Sequence, residues 1–224
     1  MERRKPGAAL MALLMCTTID ICMKLNVVKT LPPNLWIAFS GGVDSVVLTH
    51  LALSKGITVG LAHYHHGNDL ADAEYRFVKQ FATDHSLLLS VGWCDSAPTG
   101  SKEKFWRDSR YKFFKSVDCT VATGANLDDA VEWYLMTCLR GRGEFMPYTH
   151  ANVIRPLLLT KKEKILAYAK HHNLEWFEDP NNSDPEFTQR NKVRHEILPK
   201  CLEVNPGLYN MVKKRIFEKE FAHK

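Results

Sequence analysis

Paired cysteines are missing from this sequence. Cys16, Cys22, Cys94, Cys119, Cys138 and Cys201 are scattered along it, and no two stand in a C-x-x-C spacing. Neither a zinc knuckle nor an iron–sulfur cluster is therefore indicated. Cysteines spread this way through 224 residues behave as small buried apolar side chains of a reducing compartment. No apolar run is long enough to span a bilayer. Internal repeats and low-complexity tracts are absent, and so is the Gly-Lys-Ser/Thr ending of a Walker A loop. A large excess of one charge sign is missing too: the net charge is +5, a weak guide to an acidic partner. A hydrophobic fraction of 45% with 25% charged residues is enough for a core that needs no disulfide staples.

The N-terminus carries basic residues (Arg3, Arg4, Lys5) ahead of an apolar stretch at residues 8–15. That order is signal-peptide-like, but the stretch is short and no small-x-small cleavage site follows. Residues 1–30 are expected to be an extension outside the main fold, with Met23 as an alternative start, and the protein is expected to be cytoplasmic.

From residue 35 onward, short apolar runs alternate with amphipathic stretches. Residues 35–39, 57–62, 87–91, 119–123 and 153–154 are predicted strands. Residues 44–53, 70–85, 127–139 and 160–172 are predicted helices, as is a segment opened by Ser101. Thr160 with Glu163 has the spacing of a capping box, and Gly141 is placed to end the helix before it. The β-α-β-α order predicts an α/β fold with a doubly wound parallel sheet. Ligands in such sheets bind beyond the carboxyl ends of the strands. A catalytic domain over residues 31–178 and a helical C-terminal extension over 179–224 are expected.

Several motifs fall at those strand ends. Ser40-Gly41-Gly42-Val43-Asp44-Ser45 sits between a strand and a helix. Glycines let the backbone approach an anion, and the helix N-terminus offers free N–H groups to a phosphate. A carboxylate beside a phosphate is repulsive unless a divalent cation bridges them, so Asp44 implies Mg²⁺. Asp128 and Asp129, with Glu132, follow the fourth strand and read either as further cation ligands or as helix caps. Arg107 and Arg110 share a helix face, as do Arg190 and Arg194. Each pair suits phosphate recognition or a solvated basic surface.

Taken together, these blocks resemble the tRNA(Ile)-lysidine synthetase family of PP-loop ATP pyrophosphatases. The resemblance rests on Ser-Gly-Gly-x-Asp-Ser at 40–45, Asp-Asp-x-x-Glu at 128–132 and Arg-Gly-x-Gly at 140–143. It rests also on Arg-x-x-Arg-Tyr at 107–111, Arg-Pro-Leu at 155–157, and the run from Asp179-Pro180 through Asn181, Asp184 and Phe187 to Arg190-Asn191 and Arg194. It covers roughly residues 35–199. It implies ATP and Mg²⁺ as cofactors, an isoleucine tRNA and free lysine as substrates, and no membrane. ATP would adenylylate the C2 oxygen of a wobble cytidine, and the lysine ε-amine would displace AMP. Asp44 and Asp128 would hold metal, Asp129 and Glu132 the lysine amine, and the four arginines the phosphates or RNA. Two features depart from the pattern: Ala125 stands where His or Gln is usual, and Asn68-Asp69 where Leu-Arg is. The chain also stops soon after Pro199, without the C-terminal domains many members carry. A tRNA thiolase is the rival enzyme reading, disfavoured by the unpaired cysteines. A non-catalytic nucleotide-binding module is the other rival, disfavoured by the intact acids.

Overall fold

The computed structural model of the chain describes residues 25–27, 29–67, 69–94, 102–184 and 188–222. The expected extension up to residue 24, the Ser101 cap, Asn68 and the Pro185–Phe187 part of the last motif lie outside them. Within the described residues no helix is long and apolar enough to cross a membrane.

The Leu35, Ile37 and Phe39 side chains point to one face of the first strand and Trp36 and Ala38 to the other, as the two-residue period of a strand requires. That strand is β1 (Asn34–Ala38). It leads to α1 (Val43–Ser54), β2 (Thr58–His65), α2 (Asp69–Asp84) and β3 (Leu88–Trp93). Then follow α3 (Lys102–Ser116), β4 (Val121–Ala122) and α4 (Leu127–Leu139). A short hairpin of β5 (Thr149–His150) and β6 (Val153–Ile154) precedes α5 (Lys162–His171). The sheet order is β3-β2-β1-β4-β6-β5. Every pairing is parallel except β5 with β6. The expected parallel α/β sheet is present. The antiparallel edge β5 was not expected, because two exposed residues carry no periodic signal.

One face of the sheet buries Leu35, Ile37 and Phe39 against Val47 and Leu48 of α1, Val78 of α2 and Ile165 of α5. Leu25, within the stretch 1–30 expected to lie outside the fold, is buried in the same core, with Val27 packed against it, so the fold starts earlier than residue 31; Leu31 joins there too. On the other face Trp36 and Ala38 meet Tyr111, Phe113 and Phe114 of α3. A separate core joins Leu127 and Val131 of α4 to the C-terminal part of the chain through Leu198, Leu208, Val212 and Ile216.

That C-terminal part starts with a 3-10 turn (Pro180–Ser183), in which the Asp179 side chain accepts from the Asn181 amide at 2.8 Å. It continues through α6 (Gln189–Lys192), a π-helical turn (Val193–Ile197), α7 (Leu198–Val204) and α8 (Leu208–Phe221). The Thr188 hydroxyl caps α6 by accepting from the Asn191 amide at 3.0 Å.

The expected capping box at Thr160 is not formed. Lys161 is the N-cap of α5 and makes no side-chain cap bond. Thr160 is fully buried and its backbone is committed elsewhere: its N–H goes to the Leu157 carbonyl at 2.8 Å, and its carbonyl accepts from the Leu127 amide at 2.9 Å. The orphan amide of Lys162 is satisfied from outside the helix, by the Asp128 carboxylate at 2.7 Å. A tertiary contact has replaced a local one.

Candidate functional site

Strand order reverses at β1. The chain runs outward from β1 to β2 and β3, then returns to lay β4 on the other side. The loops after β1 and β4 therefore diverge from adjacent strands and leave a crevice between them. The Ser40–Ser45 loop and the Thr123–Asp129 turn occupy those two loops.

Gly41 has φ +75°, and a Cβ there would stand 2.8 Å from the Phe77 ring. Only glycine fits both the backbone and the space. Its carbonyl is anchored by the Phe177 amide at 2.9 Å, which ties the loop to the segment after α5. Gly42 is the N-cap of α1 without a side-chain cap bond; the Ser45 and Val46 amides go to its carbonyl at 3.0 and 3.1 Å, which leaves the Val43 and Asp44 amides without a partner inside the helix. Val43 is buried and pins the loop to the core. The Ser45 hydroxyl donates back to the Gly42 carbonyl at 2.8 Å, and Ser40 remains at the cavity wall.

Asp44 is the centre of the crevice. Its Oδ1 accepts from the Asn126 amide group at 3.0 Å, and its Oδ2 takes the Lys162 ammonium at 2.5 Å. Burial pushes its pKa up, opposed by Lys162 and reinforced by the nearby Asp129. The β4 turn touches it directly: a Cβ on Gly124 would lie 2.8 Å from Asp44 Cβ and 2.9 Å from its carbonyl carbon. Neither atom is a flexible tip that can swing away. Gly124→Ala is expected to push the two loops apart, costing ~1–3 kcal/mol of stability as over-packing does. A variant with unchanged melting temperature would show that the loops need not touch.

Asn126 caps α4 with a full capping box. Its side chain accepts from the Asp128 and Asp129 amides at 2.9 and 3.2 Å, and its own amide donates to Asp129 at 2.9 Å. The two aspartates then part. Asp129 lines the cavity with Asp44. Asp128 turns to the other side, where its oxygens accept from the Lys162 amide and from the Tyr209 hydroxyl at 2.9 Å, joining α4 to α5 and α8. The cavity carboxylate beside Asp44 is thus Asp129, where the sequence had suggested Asp128 for metal.

The four arginines also separate. Arg107, Arg110 and Arg190 line the cavity. Arg107 stacks over Tyr111 and Trp133, with the guanidinium 4.8 and 5.3 Å from the ring centres. Burial, with Arg190 and Arg107 nearby, lowers the Arg110 pKa against the pull of Tyr111 and Glu74. Arg194 instead makes a forked pair with Glu132, at 2.6 and 3.1 Å, and stands 3.6 Å from Asp129. Glu132 is 1% exposed and also holds Arg190 at 3.7 Å. Glu132 is therefore a strut between α4 and the C-terminal helices and lies outside the cavity wall.

Sequence reasoning missed Lys162 and Glu74, and it quoted Arg155 in the Arg-Pro-Leu run without a role. Lys162 lay outside every motif and reaches Asp44 only through the fold. Arg155, 4% exposed, donates to the Pro147 carbonyl at 2.8 Å and the Tyr111 hydroxyl at 2.9 Å, bracing the wall. Glu74 enters from α2, which showed only helical periodicity. The cavity encloses about 600 Å³, and among the described residues no cysteine lines it.

This crevice, with a glycine-rich loop closing on a helix N-terminus beside an acidic turn, is the site of a nucleotide-binding α/β protein. The chain belongs to the PP-loop family: the PP-loop domain matches it over residues 18–201. Its curated relatives include the tRNA(Ile)-lysidine synthase of Pseudomonas fluorescens, 36% identical over 202 residues, which cover 81% of this chain and 46% of that protein. The tRNA(Ile)-lysidine synthase of Persephonella marina is 34% identical over 192 residues, 77% of this chain and 42% of that protein. The chain thus spans less than half the length of these relatives. Among solved structures, the U34-tRNA thiolase NcsA from Methanococcus maripaludis superposes with a TM-score of 0.65 at 16% identity, over 96% of this chain and 82% of that one. At that identity the likeness concerns the fold alone.

Proposed function

We propose that the protein is an ATP-dependent ligase of the tRNA(Ile)-lysidine synthase type. It would adenylylate the C2 oxygen of the wobble cytidine in an isoleucine tRNA with a CAU anticodon. Free lysine would then be joined at C2 through its ε-amine. In the first step the cytidine oxygen attacks the α-phosphorus of ATP, and the bond to pyrophosphate breaks. In the second the amine attacks C2 and AMP leaves with the former carbonyl oxygen. The activation is needed because a carbonyl oxygen is a poor leaving group and AMP a good one. One observation carries this reading: the Ser40–Ser45 loop, the Asp129 turn and Arg190 from the last motif converge on one cavity.

The residues divide the work by position. First-turn amides of α1, with Ser40, Gly41 and Gly42, suit the phosphates. Arg107, Arg110 and Arg190 offset charge that develops on the α-phosphate or the RNA. Single-stranded anticodon bases reach such a cavity without opening a duplex.

Mg²⁺ fits this donor set. Among the described residues no three acidic, His or Cys groups form a metal cage. Mg²⁺ does not require one, because it is commonly held by one or two carboxylates plus substrate phosphates. Asp44 and Asp129 would hold it: both carboxylates line the cavity, and Asp44, paired with Lys162 through Oδ2, stands at the start of α1 where the phosphates are expected. When bound, the ion would neutralise the phosphates beside Asp44.

The test is direct: the protein is incubated with ATP, radiolabelled lysine and isoleucine tRNA, and label in the RNA is counted. Absence of ATP-dependent incorporation would sink the reading. Within that assay, Arg190→Ala should lower incorporation about tenfold to a hundredfold, because a charge-assisted contact is worth ~1.5–3 kcal/mol. Lys213→Ala, outside every motif, should act only through salt-screened attraction and change the rate less than about twofold at moderate salt. A larger loss for Lys213→Ala at both low and moderate salt would move the RNA grip to α8.

A further inference from the structure

We propose that Glu74 is the acceptor of the amine substrate, binding the lysine ε-ammonium in the cavity and taking its proton before attack; this rests on the lysine-ligating reading above. Glu74 lines the cavity from α2 and is 18% exposed. The other acids of the site are engaged or solvated. Asp44 holds Lys162 and Asn126, Asp129 caps α4, and Glu132 is sealed by Arg194. Glu144 is 49% exposed at the rim, near Arg142.

Among the described residues Glu74 has one ion-pair contact, His63 Nδ1 at 3.8 Å. That nitrogen faces the Phe39 carbonyl at 2.9 Å, and a carbonyl can only accept, so Nδ1–H is already spent. Glu74 is left as a partly buried carboxylate with no hydrogen bond among the described residues, at the wall of the space where substrate would sit. Such a group is costly unless a cation from outside completes it.

Its surroundings leave it able to accept a proton. Burial pushes its pKa up to about 7; Asp179 reinforces the rise from the loop before the 3-10 turn, and Arg110 of α3 opposes it. His66, in the same cavity wall, is held neutral, with its pKa pushed down to about 4 by burial and by Arg110, His63 and His65. A base that titrates near neutral pH is well matched to general-base work. The lysine ammonium is no nucleophile while protonated. Its proton goes to the Glu74 carboxylate, the freed electron pair forms the N–C2 bond, and the C2–O bond breaks as AMP departs.

The experiment compares the full-length wild type, Glu74→Gln and Glu74→Asp in single-turnover lysine ligation between pH 5.5 and 8.5. Wild-type ligation should fall below pH ~7, as Glu74 becomes protonated and the base is lost. Glu74→Gln should be about 10²-fold slower, with that acid limb gone, and Glu74→Asp should recover part of the rate and the limb. Pyrophosphate release should fall at least tenfold less than ligation does, by the same separation of proton transfer from adenylylation. Melting curves give a second readout. A raised folded-state pKa means stability is lost as pH rises from the unfolded value through about 7. Glu74→Gln should therefore melt above the wild type at pH 8 and level with it near pH 4.5. Ligation by Glu74→Gln at half the wild-type rate or more, or an unchanged pH profile, would overturn the assignment of Glu74 alone. A wild type that ligates no lysine would overturn the lysine reading together with it.

Discussion

Replacing Asp44 with alanine is expected to reduce ATP-dependent pyrophosphate release by about 10³-fold or more, the loss that follows removal of one preorganised charge from a reacting centre. The expectation follows from how much converges on one carboxylate. Asn126 fixes one oxygen, Lys162 the other, and Gly124 leaves room for the side chain to sit where the two loops meet. The group stands at the start of α1, where phosphate is expected, and a cation is needed to reconcile two negative charges there. The fold should survive. Lys162 is 36% exposed and can return to water when its partner is removed, so the stability change should stay within ~1 kcal/mol. Asp44→Asn separates charge from shape, since it keeps the volume and a partner for Asn126. If charge is what matters, Asp44→Asn should be nearly as inactive as Asp44→Ala. Turnover by a folded Asp44→Asn protein within tenfold of wild type would remove the carboxylate, and the cation with it, from the mechanism.

Glu132→Ala should be the most destabilising single change on α4. The carboxylate is 1% exposed and takes two hydrogen bonds from Arg194, with Arg190 at 3.7 Å. Burial pushes the Glu132 pKa up, opposed chiefly by its hydrogen bonds to Arg194. Deleting it removes two charged hydrogen bonds, but Arg194 keeps Asp129 at 3.6 Å and both guanidinium groups, 34% and 32% exposed, can turn to water, so the loss should be ~1.5–3 kcal/mol. For a chain of this size each kcal/mol lowers the melting temperature by about 2–4 °C, so a fall of about 3–12 °C is expected. Arg190 should also lose its position in the cavity wall, so ligation should decline even well below the melting temperature. Glu132→Gln keeps the shape and an acceptor and should cost less. Urea unfolding that places Glu132→Ala within ~1 kcal/mol of wild type would show that the strut bears no stress.

Much of this molecule follows from local pattern. The alternating burial of Leu35 to Phe39 and the helical spacing of Val46, Val47 and Leu51 define a strand and a helix by themselves. The glycines between them define a loop that closes on a helix N-terminus. Those are short-range consequences of strand and helix periods and of backbone sterics, so they are legible residue by residue. The parallel sheet was legible for the same reason, because strands alternating with helices leave few other ways to pack. Tertiary structure decided where side chains with identical local prospects would go. Asp128 and Asp129 are neighbours with the same chemistry, yet one helix turn sends Asp129 to the cavity and Asp128 to Lys162 and Tyr209. Arg190 and Arg194 share a helical spacing, yet Glu132 captures the fork of one and leaves the other at the wall. Thr160 had the right partner for a cap and lost it to burial under α4. Lys162 and Glu74 carried no signal of their own, since Lys162 meets Asp44 from 118 positions away and Glu74, on α2, faces His63 of β2. A local pattern specifies which backbone a segment adopts. It does not specify the direction of a side chain whose partner arrives from elsewhere in the chain, and the electrostatics of this site are set by those partners.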